Sequence, residues 1–175
     1  MNKHSPREGE GYMIVLGIDP GYATVGFGVV HGVGDRMTAL AWGAIQTSAA
    51  TPFDKRLEDI FDGVTELIEK FKPDAVSVEE LFFNTNQKTV IGVGQARGVI
   101  ILACTKKGIP IAEYTPLQVK NAIVGYGRAE KKQVMELTRI QLNLPKTPRP
   151  DDAADALALA MTHIRAADSQ IYQRI

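Results

Sequence analysis

The chain has one cysteine, one tryptophan and three histidines among its 175 residues, and its formal net charge at pH 7 is zero. Cys104 can form neither an internal disulfide nor a cysteine-rich zinc site, which favours a reducing compartment, the cytoplasm. The histidines, His4, His31 and His163, lack the spacing of zinc ligands. The apolar run at residues 12–18 is too short to span a membrane. We therefore expect no disulfide framework, no zinc site and no membrane association.

The composition is typical of a globular chain with one domain. Apolar residues make up 45% of the sequence and charged residues 23%, which excludes wholesale disorder and fibrous architectures. A length of 175 residues favours a single domain. Residues 1–12 are polar and lack a periodic pattern. We therefore expect a flexible N-terminal extension over residues 1–12, one domain over residues 13–166 and a C-terminal tail over residues 167–175.

Charge is distributed unevenly along the chain, although its sum is zero. Residues 84–150 carry eleven basic and three acidic side chains, whereas residues 54–83 carry nine acidic and four basic ones. A basic surface beside an acidic centre is typical of a protein that binds a polyanion such as a nucleic acid. The alternative is that the clustered lysines form an ordinary solvated face. The charge pattern alone leaves both interpretations open.

The spacing of apolar residues predicts an α/β fold. Three β-rich segments, at residues 13–19, 25–30 and 40–47, are separated by turn residues and indicate an antiparallel meander. An apolar stripe with three- and four-residue spacing predicts a helix over residues 53–71. Alternating strands and helices follow, so the fold is a mixed sheet in which parallel strands join the meander, flanked by helices. These later elements are predicted as strands at residues 75–79 and 110–114 and as helices at residues 90–107, 117–124, 131–142 and 152–165.

Acidic residues stand at the ends of two predicted strands. Asp19 closes the first strand directly before Pro20 and Gly21, where its carboxylate either serves a site or caps its own turn. Glu79 and Glu80 end a later strand and face opposite sides, because strand side chains alternate. Glu79 shares its side with small residues that leave room beside it, which makes Glu79 the candidate. The alternative is a pair of solvated strand-end acids.

Two further carboxylates open the last predicted helix. Asp152 and Asp155 are three residues apart and therefore lie on one helix face. Acids in a first turn also complement the helix dipole, which accounts for Asp151 and Asp152 without a catalytic role. That explanation fits Asp155 poorly, because the dipole effect fades beyond the first turn.

These acids would create a metal site if the first and fourth strands adjoin and the last helix packs over their ends. Four carboxylates so close together would repel one another unless a cation neutralised them. Carboxylate oxygens suit Mg²⁺ or Mn²⁺, and two such ions about 3.5–4 Å apart can promote phosphodiester hydrolysis. The expected centre binds two Mg²⁺ ions, for which Mn²⁺ can substitute. Its ligands are Asp19, Glu79, Asp152 and Asp155.

Short motifs distributed over about residues 13–163 are individually weak, but their order and spacing are highly specific in combination. They are Leu16–Gly21, Val78–Phe82, Gly94–Val99, Gln118–Lys120, Ala129–Lys131 and Asp152–Ala158. In this arrangement they resemble the RuvC family of Holliday junction resolvases.

The resemblance implies a ribonuclease H-like fold and a homodimer that nicks two strands of a four-way DNA junction symmetrically. It places the helix within residues 86–107 at the dimer interface. It also implies the branch-migration proteins RuvA and RuvB as partners. Matched residue by residue, the four catalytic acids are Asp19, Glu79, Asp152 and Asp155.

Expected DNA contacts come from the basic stretch. Lys131 and Lys132 open a predicted helix whose backbone N–H groups can also bind a phosphate. The resemblance carries Lys120 and Lys131 to DNA-contacting positions, and Arg97 of the same stretch is assigned to DNA as well. Phe82 matches a family position that stacks on unpaired bases, an interaction typically worth about 1–3 kcal/mol per base.

Two other functions remain open at this point. Residues 19–26 resemble the first phosphate loop of actin-like ATPases and sugar kinases, although that group clamps its nucleotide between two such domains. A non-catalytic junction-binding protein would keep the basic surface but would not need four acids. Nucleotide titration would test the first alternative, and metal-dependent cleavage of a four-way junction would test the second.

Overall fold

The computed structural model describes residues 11–80 and 87–172. Over these residues the chain forms one five-stranded sheet of order β3-β2-β1-β4-β5. The first three strands are antiparallel neighbours, and β4 runs parallel to both β1 and β5. The predicted combination of an antiparallel meander with parallel strands is confirmed. The strands are β1 (Met13–Asp19), β2 (Thr24–Val33), β3 (Arg36–Gln46), β4 (Ala75–Glu79) and β5 (Ile111–Tyr114).

Five helices accompany the sheet over the described residues, and each was predicted. The last helix continues past residue 165, where the sequence analysis ended it, and crosses the expected boundary at residue 166. Arg165 is anchored there by donating to Asp35 Oδ1 at 2.9 Å and to the Ala122 carbonyl at 2.6 Å. None of these helices is long and apolar enough to cross a membrane. The helices are α1 (Phe53–Phe71), α2 (Gln87–Lys106), α3 (Pro116–Val124), α4 (Lys131–Gln141) and α5 (Asp151–Tyr172).

The β2–β3 hairpin is longer than predicted at its turn. The strands meet in a tight turn at Gly34, whose φ of +53° is in the left-handed region that glycine tolerates. Polar residues such as Arg36 and Thr38 interrupt the apolar pattern in β3. These positions suit an edge strand, because β3 has one neighbour and its residues alternate between exposed and half-buried.

Separate apolar layers cover the two faces of the sheet. On one face, α1 and α2 pack against β1, β2 and β4. On the other face, α5 lies across β1 and β2, with α3 and α4 beside it. The buried side chains include Leu16, Ile18, Ile60, Val76 and Ile100 in the first layer and Val15, Val30, Leu157, Met161 and Ile164 in the second.

Helix α5 lies unusually close to the sheet because glycines face it. A Cβ added to Gly17 of β1 would lie 1.9 Å from the Ala156 carbonyl oxygen, and one added to Gly26 of β2 would lie 2.2 Å from the Asp152 carbonyl oxygen. Contacts this short leave no room for a side chain. The fully buried Ala156 presents a similarly small surface from the helix side. The start of α5 is therefore held against the ends of β1 and β2.

Candidate active site

Asp19 and Glu79 end two neighbouring parallel strands, β1 and β4. The register pairs Gly17 with Ser77, so Asp19 and Glu79, two positions further along, lie at the same level of the same sheet face. This face lies under α5, because the Ser77 hydroxyl donates to the Leu159 carbonyl of α5 at 2.8 Å. The two strand-end carboxylates are therefore adjacent beneath the helix.

Glu80, the next residue, is in a different environment. It is exposed, whereas Glu79 is partly buried. The Glu80 backbone N–H donates to the Tyr114 carbonyl of β5 at 2.9 Å, directly after the end of β4. The structure thus distinguishes the two neighbouring acids in the way that strand alternation predicts, and Glu80 offers a natural control for Glu79.

Asp152 and Asp155 reach the same region from the first turns of α5. The Asp152 backbone rests on Gly26, and Gly26 is the register partner of Asp19. The start of α5 therefore lies beside the end of β1. Asp155, close to one turn further along, accepts a hydrogen bond from Lys131 Nζ at 2.8 Å.

Asp19 lies within range of the charges of the three other acids, and these four residues make up the acidic cluster. The pKa of the Asp19 carboxyl is raised to about 8, mainly by burial and further by the negative charges of Glu79, Asp155 and Asp152. The ammonium group of Lys131 opposes this rise. At neutral pH and without a bound cation, Asp19 is therefore mostly protonated. The chain brings together more negative charge than it neutralises by itself.

Two other carboxyl groups of the cluster are affected in the same direction. Burial and the charge of Asp155 raise the pKa of Glu79, while Lys131 opposes the shift. Burial also raises the pKa of Asp155, against the hydrogen bond and charge of Lys131. Asp151, by contrast, is exposed enough to form its own ion pair with Arg149. Lys131 is thus the basic side chain that acts on all three shifted acids.

The donor chemistry of this cluster fits a hard divalent cation. Carboxylate oxygens are the ligands that Mg²⁺ and Mn²⁺ prefer, and a cation would stabilise the anionic form of carboxyl groups whose pKa values are raised by burial and by neighbouring negative charges. Among residues 11–80 and 87–172, no group of three or more acidic, histidine or cysteine side chains is arranged so that it could hold a metal ion as it stands. The ammonium of Lys131 is instead bound to Asp155, so a cation at this oxygen would replace that contact.

The structure places the residues predicted to contact DNA in different settings. Lys131 and Lys132 begin α4, as the sequence predicts, and Lys131 belongs to the acidic cluster. Lys132 is exposed beside a surface cavity of about 390 Å³ that Tyr126 also lines. Lys120, in α3, is half-buried. Phe82 lies outside the described residues.

Arg97 is already engaged within the chain. Its guanidinium forms a 2.7 Å ion pair with Glu113 of β5, and only 17% of its side chain is exposed. Its Nε also approaches the backbone carbonyl of Glu79 at 3.5 Å. The predicted DNA contact at Arg97 thus falls on a side chain that faces the sheet.

Sequence reasoning missed the residues that support the four acids. Ser77 fixes β4 to α5 through its hydroxyl, and Tyr114, the register partner of Glu79, shares a 2.9 Å hydrogen bond with His163 of α5. The sequence did offer a signal for the close approach of α5. Gly26 and Gly28 of β2 are two residues apart and therefore share one strand face, and glycines on one face mark a place where another backbone comes close. No local pattern pointed to Ser77 or Tyr114.

Comparison with known proteins places the chain in a family. The family model "Crossover junction endodeoxyribonuclease RuvC" matches residues 15–163. The protein of that name from Brevibacillus brevis is 54% identical over 151 residues, which cover 86% of this chain and 91% of that protein. The corresponding Rubrobacter xylanophilus protein is 56% identical over 150 residues, which cover 86% and 84%.

Solved structures agree with these sequence matches. The structure of Thermus thermophilus RuvC in complex with a Holliday junction substrate has a TM-score of 0.87 and 39% identity, covering 90% of this chain and 96% of that one. A yeast mitochondrial Holliday junction resolvase, at 16% identity and a TM-score of 0.63, shows the same fold. The predicted ribonuclease H-like class is confirmed, and neither the actin-like nor the non-catalytic alternative is favoured. The chain belongs to the RuvC family of crossover junction endodeoxyribonucleases.

Proposed function

We propose that this protein is a metal-dependent endonuclease that resolves four-way DNA junctions by paired nicks during recombination and repair. The observation that carries the proposal is the convergence of Asp19, Glu79, Asp152 and Asp155 on one acidic cluster, where burial and the charges of the other three acids raise the pKa of Asp19 to about 8. Relatives that are more than half identical bear the name crossover junction endodeoxyribonuclease. A similar protein has been solved with a Holliday junction.

The four acids would hold two Mg²⁺ ions, with Mn²⁺ as a substitute. Bound there, the ions would supply an activated water and charge stabilisation at the leaving oxygen of the phosphodiester. The chain itself supplies the fixed carboxylates, because Asp19 and Glu79 stand on paired strands and Asp155 stands on a helix packed against them. The proton held by Asp19 must leave this carboxyl before it can act as an anionic ligand.

Lysines of the basic stretch would hold the DNA backbone near these acids. Lys131 could serve both metal binding and DNA binding, because its ammonium lies at Asp155 while 59% of its side chain is exposed. Lys132 and Lys120 extend the basic surface along α4 and α3, and their role would be to position phosphates rather than to read sequence. Phe82 is proposed, on the family resemblance, to stack on an unpaired junction base.

A homodimer would place two such clusters on one junction. Helix α2 supports this proposal through an exposed face that carries Ile91 and Leu102, which are 64% and 52% exposed. Between them, Gly94 and Gly98 have no neighbouring atom within 4 Å of an added Cβ. A flat apolar face of this kind suits the matching face of a second copy, so that two helix backbones approach closely. Action in the cytoplasm alongside RuvA and RuvB is proposed on the family resemblance alone.

The proposal is tested by replacing strand-end acids with their amides. Asp19→Asn and Glu79→Gln should bind a four-way junction as the wild type does, yet lose Mg²⁺-dependent cleavage, because each substitution removes an anionic ligand. Binding is measured by fluorescence anisotropy without Mg²⁺, and cleavage by gel analysis of a labelled mobile junction.

Glu80→Gln is the matched control. It makes the same chemical change one residue away at an exposed position, and cleavage should stay at the wild-type rate. Normal cleavage by Asp19→Asn or Glu79→Gln would refute the assignment of the site, and absence of cleavage by the wild-type protein with either metal would refute the proposed function.

A further inference from the structure

Arg97 connects three elements of the fold. It lies midway along α2, between Gly94 and Gly98, which have open space around them. Its side chain turns back toward the sheet, where it pairs with Glu113 of β5 at 2.7 Å. Its Nε lies 3.5 Å from the backbone carbonyl oxygen of Glu79, at the end of β4. One side chain thus connects α2 to the ends of two adjacent strands.

The contacts of Arg97 bear directly on Glu79. Strand β4 has five residues and ends at Glu79, which is paired in register with Tyr114 of β5. Glu113, the ion-pair partner of Arg97, immediately precedes Tyr114. A guanidinium bound to Glu113 and directed at the Glu79 carbonyl therefore restrains the last residue of β4 relative to β5.

Arginine is suited to this role and poorly placed for DNA. Its planar group presents several donors in a fixed geometry, so it can serve a carboxylate and a carbonyl together, which the single ammonium of lysine does less well. Glu113 already neutralises its charge, and the side chain is mostly buried. These features leave little electrostatic attraction for a phosphate.

We propose that Arg97 is a positioning residue that, with Glu113, holds the end of β4 so that the Glu79 carboxylate keeps its orientation toward Asp19. Because Arg97 stands on the helix that carries the proposed dimer face, it also connects that face to the acidic cluster. The inference rests on the proposed function, since it assigns a support to one of the proposed metal ligands.

The test compares Arg97→Lys, Arg97→Met and Glu113→Gln with the wild type. Partners that orient a metal ligand typically contribute about 10- to 100-fold to metal affinity or activity. We expect all three variants to lose about that factor in Mg²⁺ affinity, measured by calorimetry on the protein without DNA, and in kcat. The KM for the junction should not change. The melting temperature should change by less than about 4 °C, because Glu113 is about half exposed and solvent screens the ion pair.

Glu113→Gln separates positioning from DNA contact. If Arg97 acts on Glu79, removing Glu113 weakens Mg²⁺ binding as strongly as Arg97→Met does and leaves junction affinity unchanged. If Arg97 instead binds a phosphate, Arg97→Met weakens junction binding and lowers its salt slope by about 1, Arg97→Lys retains binding, and Glu113→Gln strengthens it. That second pattern would overturn the inference.

Lys107→Met serves as the control, because it removes an ion pair with Glu69 directly after the last residue of α2. Lys107→Met should leave Mg²⁺ affinity and kcat unchanged. If it loses as much as the Arg97 variants do, the effect is not specific to Arg97 and the inference is refuted. Wild-type Mg²⁺ affinity and kcat in the three variants would refute the inference alone. Failure of the wild-type protein to cleave would refute the proposed function, while the calorimetric comparison would still show whether Arg97 supports Glu79.

Discussion

The protonation of Asp19 links the chemistry of one residue to the stability of the metal-free protein. Burial and three neighbouring carboxylates raise the pKa of Asp19 to about 8 in the folded state. In the unfolded chain the same group ionises near its ordinary value, 3.8. Between these two values, the folded state binds a proton that the unfolded state has released, so this group destabilises the fold as the pH rises from about 4 to about 8.

Asp19→Asn should remove this pH-dependent loss. Each pKa unit of difference corresponds to about 1.4 kcal/mol. Without metal, we therefore expect the variant to melt several degrees above the wild type at pH 8 and close to the wild type at pH 4. The measurement is the difference in melting temperature between the two proteins in EDTA across this range, which cancels the contributions of other titrating groups.

A lower melting temperature for Asp19→Asn at pH 8 would mean that the carboxylate supports the fold rather than a metal. Glu80→Gln, at an exposed position next to Glu79, is the control and should melt at the wild-type temperature at pH 8. Added Mg²⁺ should reverse the order at pH 8, because it binds the wild-type cluster and not the cluster that lacks Asp19.

At the scale of elements, the site depends on how closely α5 approaches β1 and β2. Strand ends supply Asp19 and Glu79, but the helix supplies Asp152 and Asp155. The helix can rest on the strands only where side chains are absent, as at Gly17 beneath Ala156. We therefore expect small residues at this contact to affect metal binding at the proposed site without touching substrate.

Gly17→Ala should move α5 away from the sheet. The added methyl would lie 1.9 Å from the Ala156 carbonyl oxygen, a backbone atom that cannot rotate aside. Overpacking of this kind costs about 1–3 kcal/mol. We expect the melting temperature to fall by about 5 °C and Mg²⁺ affinity to fall as well, measured by thermal unfolding and calorimetry.

Gly94→Ala provides the opposite case, since no atom lies within 4 Å of its added methyl. Glycine within a helix costs about 0.5–1 kcal/mol relative to alanine, so at concentrations where the chain is monomeric this variant should be as stable as the wild type or slightly more stable. If Gly17→Ala kept the wild-type melting temperature and Mg²⁺ affinity, the close approach of α5 to β1 would not be needed to form the site.

At the scale of the whole molecule, the proposed dimer would form through the exposed face of α2 and bring two acidic clusters to one junction. Paired nicks on a four-way junction need two clusters in a fixed relation. The face around Gly98 is open in the single chain, so a large charged side chain there is tolerated by the monomer and excluded from a close helix–helix contact. This difference separates an effect on assembly from an effect on folding.

Gly98→Arg should convert a dimer into a folded monomer. Sedimentation at micromolar concentration should show the wild type as a dimer and the variant as a monomer with an unchanged circular dichroism spectrum. Junction cleavage by the variant should lose its paired nicks. Ile140→Arg, at another exposed apolar residue on α4, should remain dimeric. A wild type that sediments as a monomer at all concentrations would refute the assembly.

Local sequence patterns were enough to place the elements. The apolar run of β1, the stripe of α1 and the short strand β4 begin and end at the residues that the sequence predicts. Their periods of 2 and 3.6 are set by neighbouring residues, so no tertiary information is needed. Predictions were poorer at Arg36 and Thr38 and beyond Arg165, where polar residues at an edge strand or a helix end interrupt the pattern.

The four acids could be proposed from the sequence, because Asp19, Glu79 and Asp152 stand at element boundaries and all four lie within family motifs. Only the tertiary structure decided what surrounds these acids. It packs α5 against glycines of the sheet and places Lys131 beside Asp155. It also directs the Arg97 side chain toward Glu113 and the Glu79 carbonyl. The reason is physical. Secondary structure follows from interactions a few residues apart, whereas the partner of a buried charge is chosen by strand order and by the free energy of burying groups that are distant in sequence.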